Sequence, residues 1–205
     1  MPSENMGVSG IILAGGRSRR MGENKALLLI DGQRIIDRVA GVLCGIFQEV
    51  MIVGVGPESC PFSRLPCVPD IRPGCGSLGG IFTGLSASLF PRAFFVACDM
   101  PFLRVELIRY LISIDPEADV VIPGTEEGMQ PLHAVYSRRC IPHIKELLDQ
   151  QNYKIIDFFS KVRVRDVKEN ELRQHGWKSN TFFNINTKTD LALALEQVHR
   201  EKAGE

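Results

Sequence analysis

The sequence predicts an α/β fold, a mostly parallel central sheet with helices on both faces. Three observations carry that expectation. Short apolar runs alternate with segments of helical period along the whole 205-residue chain. The first apolar run ends directly in a glycine pair, Gly15-Gly16, as a strand does when it turns sharply into a loop. Two aspartates, Asp70 and Asp99, follow other such runs, at the strand ends where open parallel sheets bind their ligands.

Taken in order, residues 8–13 form an apolar stretch of the kind a strand buried on both faces needs. Residues 34–47 place Ile35, Val39, Val42 and Leu43 on one helical face. Residues 49–55 read as strand, and residues 78–89 as a helix entered through glycines. A short strand over 93–98 ends in Asp99, and 103–114 is helical. Strands follow at 119–123 and 131–137, then a helix over 139–150. Residues 154–159 are helical or irregular, and 162–167 return to strand. Residues 180–187 read as a further strand, with Asn184 and Asn186 on one face. The closing helix, 188–200, carries Leu191, Leu195 and Val198 on one side. The repeated β-α-β units make the plan Rossmann-like. Residues 1–205 read as one domain, with 1–7 and 201–205 loose.

Composition narrows the class. An apolar share of 44% and a charged share of 23% suit a water-soluble globular domain. Lys plus Arg equals Asp plus Glu at 24 each, which argues against general nucleic-acid binding through a basic surface. No apolar run is long enough to span a bilayer, and residues 1–7 have no signal-peptide core. The expected setting is the cytoplasm. The six cysteines form no Cys-x-x-Cys pair and read as free thiols. A zinc site from Cys60, Cys67 and Cys75 has the wrong spacing for known ribbons.

The richest stretch is Leu13-Ala14-Gly15-Gly16-Arg17-Ser18-Arg19-Arg20-Met21-Gly22, followed by Lys25. A glycine loop exposes backbone N–H groups, and three arginines and a lysine follow it. That combination suits a polyphosphate. It is neither a P-loop, which needs Gly-Lys-Ser/Thr, nor the dinucleotide fingerprint Gly-x-Gly-x-x-Gly. The plainer reading is a turn with a solvated basic face.

Asp99-Met100-Pro101 closes a strand, so the carboxylate faces the crevice. It suits a hard cation such as Mg²⁺ bridging to substrate phosphates. The alternative is an N-cap for the helix near Leu103. Asp70 precedes a second glycine loop that includes Gly74, Gly76, Gly79 and Gly80. It reads either as an acceptor for ribose or base or as a solvated turn residue. His133 follows Gln130-Pro131-Leu132 and is either a strand histidine or a ligand contact. The amides of Asn184 and Asn186 form a neutral platform for a polar ligand, and Thr187 suits the N-cap of the last helix. Phosphate-binding cations and a metal carboxylate without a nucleophile suggest direct nucleotidyl or phosphoryl transfer.

These motifs resemble the MobA family, the molybdenum cofactor guanylyltransferases. The family's Leu-Ala-Gly-Gly-x-x-x-Arg-Met-Gly and Lys are matched by Leu13 to Gly22 and Lys25. Its Gly-x-Leu-x-Gly loop is similar to Gly76 to Gly80, its Asp-x-Pro to Asp99 to Pro101, and its Asn-x-Asn-Thr to Asn184 to Thr187. The resemblance implies a nucleotidyltransferase fold and a reaction in which the terminal phosphate of molybdopterin attacks the α-phosphate of GTP. It implies Mg²⁺ held by Asp99, guanosine contacts at Leu13, Ala14, Gly15 and Asp70, further binding contacts at Gly16, Gly76 and Gly80, and phosphate contacts at Arg20 and Lys25. Residues 130–133 and Asn184 to Asn186 would serve the pterin. GTP and molybdopterin are the implied small-molecule partners, and the proteins that deliver the cofactor or accept it, molybdoenzymes, the protein ones. The chain departs from the family pattern at Asn24, Val53 and Ser77, positions that bear on which base is bound. The Gly15-Gly16 pair favours GTP over the CTP of related enzymes with Leu-Ala-Ala-Gly. Two other readings are a nucleotidyltransferase with another nucleotide or acceptor, such as CTP or a sugar phosphate, and a non-catalytic carrier of nucleotide or cofactor.

Overall fold

The computed structural model describes residues 7–14, 27–56 and 65–203. Gly15, Gly16, Arg20, Lys25 and Cys60 lie outside the described residues, as do residues 1–6.

The strands are β1 (Val8–Leu13), β2 (Leu29–Ile30), β3 (Gln33–Arg34), β4 (Val50–Val53), β5 (Cys67–Val68) and β6 (Arg92–Ala97), followed by β7 (Val120–Thr125), β8 (Gly128–Met129), β9 (His133–Ser137) and β10 (Val164–Lys168). The helices are α1 (Ile35–Cys44), α2 (Gly76–Ala87), α3 (Val105–Ser113), α4 (Ile141–Asp149), α5 (Glu169–Gln174) and α6 (Lys188–Ala203). The main sheet runs β10-β7-β9-β6-β1-β4-β5, with β8 paired to β7. The pairs β4–β5, β1–β4, β1–β6 and β7–β10 are parallel, and β9 runs antiparallel between β6 and β7. The mostly parallel sheet therefore stands as the sequence predicts, with one reversed strand inserted.

Every residue of β1 and β4 is buried, because helices cover both faces. On one face Val8 and Ile12 pack with Ile35, Val39, Leu107, Leu111 and Val198 from α1, α3 and α6. On the other, Ile11 and Leu13 pack with Leu78, Ile81, Leu85, Ile144 and Leu148 from α2 and α4. Helix α2 lies close to the sheet because two glycines one turn apart face it. A Cβ on Gly80 would stand 2.9 Å from Leu13 Cδ2, and one on Gly84 would stand 2.6 Å from Phe95 Cε1.

Three expectations need correction. Residues 180–187 form no strand: apart from Ile185 N–H, which donates to the Asp99 carbonyl, the hydrogen bonds that define the segment are local. Lys178 N–H donates to Thr181 Oγ1 at 2.9 Å, Phe183 N–H to the Asn180 carbonyl at 3.1 Å, and Asn184 Nδ2 to the Phe182 carbonyl at 2.9 Å. Short polar side chains compete in this way with a sheet ladder. Asn184 and Asn186 therefore share no strand face, and Asn186 is exposed while Asn184 is half-buried. Cys67 is disulfide-bonded, whereas Cys44, Cys75, Cys98 and Cys140 are free thiols. The expected C-terminal tail is helical through Ala203. Among the described residues, no helix is long and apolar enough to cross a membrane.

Candidate active site

The carboxyl ends of the parallel strands form the site. In register, Leu13 stands beside both Val53 and Ala97, and Val53 beside Val68. Ala14, Asp70 and Asp99 therefore leave neighbouring strands at one edge. Backbone bonds carry the ladder past the strand ends. Ala14 N–H donates to the Val53 carbonyl at 2.9 Å, Gly54 N–H to Val68 at 3.0 Å, and Cys98 N–H to Leu13 at 3.0 Å.

Asp99 sits in a tightly held turn. Its carbonyl accepts from Ile185 N–H at 3.0 Å. Met100 and Phe102 anchor the far side in the core. Arg38 of α1 donates through Nε to the Pro101 carbonyl at 3.3 Å. The helix that follows starts after Arg104, which makes no side-chain cap. Asp99 is thus not an N-cap; the residue is half-buried at the strand tip.

Asp70 lies two residues beyond β5. The loop behind it is fixed by Ile71 N–H, which donates to Thr83 Oγ1 at 3.0 Å, while that hydroxyl donates to the Gly79 carbonyl at 2.9 Å. Asp70 Oδ1 is buried without a hydrogen-bond partner among the described residues, and burial pushes the carboxyl pKa up. An ionised acceptor left unsatisfied at a crevice is unfavourable until a ligand donates to it. The loop turns through Gly74 and Gly76, at φ +83° and +59°, into the uncapped N-terminus of α2. That end of a helix favours negative charge and presents free N–H groups.

Several expected contacts are narrowed. Leu13 and Gly80 are buried against each other, so Gly80 serves helix-to-sheet packing and the Leu13 side chain faces the core. Val53 is fully buried, its side chain packs in the core and its carbonyl accepts from Ala14, so its side chain does not reach the crevice. His133 is fully buried, edge-on to Phe94 and Phe182 at centroid distances of 5.1 and 5.0 Å. Burial lowers its pKa to about 3, so it is a neutral core residue and not a ligand contact. Thr187 does cap α6: its Oγ1 accepts from Asp190 N–H at 3.1 Å, and the Asp190 carboxylate accepts from Thr187 N–H at 2.7 Å.

Sequence reasoning missed two features. Arg38 looks like an ordinary surface charge on a helix until its bond to Pro101 is seen. A cavity of about 310 Å³ opens among Thr125, Glu126, Glu127, Glu169, Trp177, Ser179, Phe182 and Phe183. The one tryptophan in the chain was its only advance sign.

A family model described as the MobA-like NTP transferase domain matches residues 10–165. The chain belongs to this family. A probable molybdenum cofactor guanylyltransferase from Pelotomaculum thermopropionicum is 44% identical over 196 residues, covering 96% of each chain. A molybdenum cofactor guanylyltransferase from Desulfosudis oleivorans is 41% identical, covering 91% of this chain and 94% of its own. Among solved structures, molybdopterin-guanine dinucleotide biosynthesis protein A from Archaeoglobus fulgidus superposes with a TM-score of 0.83 at 25% identity. It covers 94% of this chain and all of its own. Membership in the MobA-like family makes the protein a nucleotidyltransferase.

Proposed function

We propose that the protein transfers GMP from GTP to the terminal phosphate of molybdopterin and releases pyrophosphate, forming the guanine dinucleotide cofactor. One observation carries the reading. Asp99 is clamped at the strand tip between the Ile185 N–H and the anchored Met100–Phe102 turn, with the nucleotide-loop strands on one side of it. The identity to named guanylyltransferases supports the choice of substrates.

In this reading the acceptor phosphate oxygen attacks the α-phosphorus, the bond to the bridging oxygen breaks, and pyrophosphate departs with that oxygen. Ala14, Gly15, Gly16, Gly76 and Asp70 hold the guanosine. The unpaired Asp70 oxygen takes a donor from ribose or base. Arg20 and Lys25 stabilise charge on the phosphates as the α-phosphorus is attacked. The Asp99 carboxylate is a hard oxygen donor of the kind that would hold Mg²⁺. Held there, Mg²⁺ would supply positive charge against the reacting phosphate and the leaving pyrophosphate. Asn184 shapes the acceptor side by holding the Phe182 carbonyl, and Asn186 stands exposed beside it. The reaction draws on the cytoplasmic GTP pool, and its product passes to molybdoenzymes or to the proteins that carry it to them.

The test is pyrophosphate release with molybdopterin and each of the four nucleoside triphosphates. The reading expects release with GTP and Mg²⁺. Turnover with CTP in preference to GTP would move the protein to the cytidylyl branch. No turnover with any triphosphate would leave a nucleotide-binding carrier.

A further inference from the structure

The cavity of about 310 Å³ lies on the side of Asp99 away from the nucleotide strands. Along the sheet, β1, β4 and β5 stand on one side of β6, and β9, β7 and β10 on the other. The phosphate loop follows β1 and Asp70 follows β5, whereas the cavity is built on the β7–β8 hairpin, α5 and the 177–183 loop. A transfer between two bound substrates needs them on opposite sides of the reacting phosphate.

Three aromatic rings line the cavity: Trp177, Phe182 and Phe183. Phe182 and Phe183 are backed by His133 and Phe102, at centroid distances of 5.0 and 6.2 Å. Trp177 is stacked by the Arg173 guanidinium 4.7 Å from its ring centre. Its buried Nε1 has no hydrogen-bond partner among the described residues. The rings are thus held firmly, while a donor on one of them is unused. The acidic members differ in availability. Glu169 is engaged by Arg173 at 2.5 Å and accepts from Glu126 N–H at 3.2 Å. Glu126 and Glu127 form the two-residue tip between Thr125 and Gly128. Their carboxylates take part in no ion pair or hydrogen bond among the described residues. Rigid aromatic walls suit a flat heterocycle. A free carboxylate suits an edge that presents two adjacent N–H donors.

We propose that this cavity seats the pterin ring system of the acceptor, with its faces against Trp177, Phe182 and Phe183 and its 2-amino and ring N–H edge on Glu126 or Glu127. The assignment rests on the acceptor named under Proposed function. It adds where that acceptor's ring binds and which side chains select it. The chain path gives the connection to chemistry. Phe182 and Phe183 lead within two residues to Ile185, whose N–H holds the Asp99 carbonyl. A ring seated on these phenylalanines is therefore one short segment from the reacting centre.

Trp177 is the only tryptophan in the chain, so its fluorescence reports this cavity alone. The probe is pterin itself, titrated into the full-length protein with inner-filter correction, and lumazine, which carries oxygen in place of the 2-amino group. Saturable quenching by pterin, at least ten-fold weaker with lumazine, is expected. The double variant Glu126→Gln, Glu127→Gln should lose that preference while keeping its unliganded spectrum and melting temperature. GTP has a similar donor edge and should leave the signal unchanged. Quenching by GTP in place of pterin, or equal quenching by pterin and lumazine, would overturn the proposal. No quenching by pterin would overturn it as well. GMP transfer is scored separately. Normal transfer to molybdopterin, with an unchanged KM in the double variant, would sink the cavity assignment and leave the reaction standing. Selective pterin quenching without transfer would do the reverse.

Discussion

The backbone N–H of Ile185 donates to the carbonyl of Asp99 at 3.0 Å, across 86 positions of chain. This bond ties the late segment to the central strand tip. Ile185 is fully buried, so the donor is held by packing as well as by the bond. The Asp99 carboxylate is consequently placed by its own backbone, while Arg38 supports the same turn through Pro101. The late Asn-x-Asn segment thus meets the Asp99 turn through its backbone, and Asn184 braces the Phe182 carbonyl.

Asp99→Asn tests the strand-tip carboxylate. The substitution keeps shape and removes charge, and the side chain is half-exposed, so the fold should hold. Turnover should fall on the order of a hundred-fold or more, as when a group that stabilises transition-state charge is removed. Steady-state rates across a Mg²⁺ titration, beside a thermal melt, give both readouts. A rate within two- or three-fold of the wild type (about 0.5 kcal/mol) at saturating Mg²⁺ would remove Asp99 from the chemistry.

Asp70→Asn should separate stability from binding. The carboxyl pKa is raised by burial, so the native state binds the proton more readily than the unfolded chain does. Its contribution is fully present below the unfolded value of about 3.9 and is lost as pH rises through the raised native value. At pH 7 the neutral amide should therefore stabilise the fold, by up to about 1 kcal/mol after allowance for partial exposure. GTP affinity should fall at the same time, because the acceptor for its donors is weakened. Melts at pH 7 and pH 3.5 with a GTP titration check both halves. Reduced stability at pH 7 would show that Asp70 has a structural partner when ionised.

Much of the architecture could be read in the chain. β1 and β6 are buried and mainly apolar, so their limits fell within a residue of expectation, and Asp99 stood out because a charge followed such a run. The β2–β3 hairpin was missed although Asp31-Gly32, at φ +53° and +76°, is a turn pair suited to two-residue hairpins. Its strands are too short to show a period. The 180–187 segment misled because Asn-Ile-Asn alternates like a half-buried strand, while its hydrogen bonds go to turns and, from Ile185, to the Asp99 carbonyl. Gly80 misled for a related reason. A glycine that admits a ligand and one that admits a strand look alike in sequence. The cavity had no motif because its walls come from the β7–β8 tip, α5 and a loop, which only the fold brings together.

Gly84→Ala and Gly80→Ala distinguish those roles. At Gly84 a methyl would meet the Phe95 ring at 2.6 Å and Ile11 at 3.0 Å, both in the fully buried core. Overpacking of this sort costs typically about 1–3 kcal/mol. At Gly80 the contact is one terminal methyl of Leu13, which can rotate away. Urea melts should show a larger loss for Gly84→Ala than for Gly80→Ala. If GTP affinity fell for Gly80→Ala with its stability intact, a direct nucleotide contact at Gly80 would be restored.

His133 makes the pH dependence of stability a local matter. Burial between Phe94 and Phe182 lowers its pKa to about 3, while an unfolded histidine titrates near 6.5. Above pH 6.5 both states carry it neutral, and the stability is complete. As pH falls below 6.5 the unfolded chain takes up a proton that the native core refuses, until the native value is reached. The loss approaches about 1.4 kcal/mol per pH unit at its steepest and comes to about 1 kcal/mol between pH 6.5 and 5.5. His133→Leu removes the titrating group, and with it two buried ring nitrogens that lack hydrogen-bond partners. The absolute stability of the variant depends on the lost ring contacts, so the slope is the quantity to compare. Urea unfolding at pH 7.5, 6.5 and 5.5 should show a shallower decline for His133→Leu than for the wild type. Identical slopes would mean that the ring gains a proton in the native state, and that the site opens to solvent where the structure holds it closed.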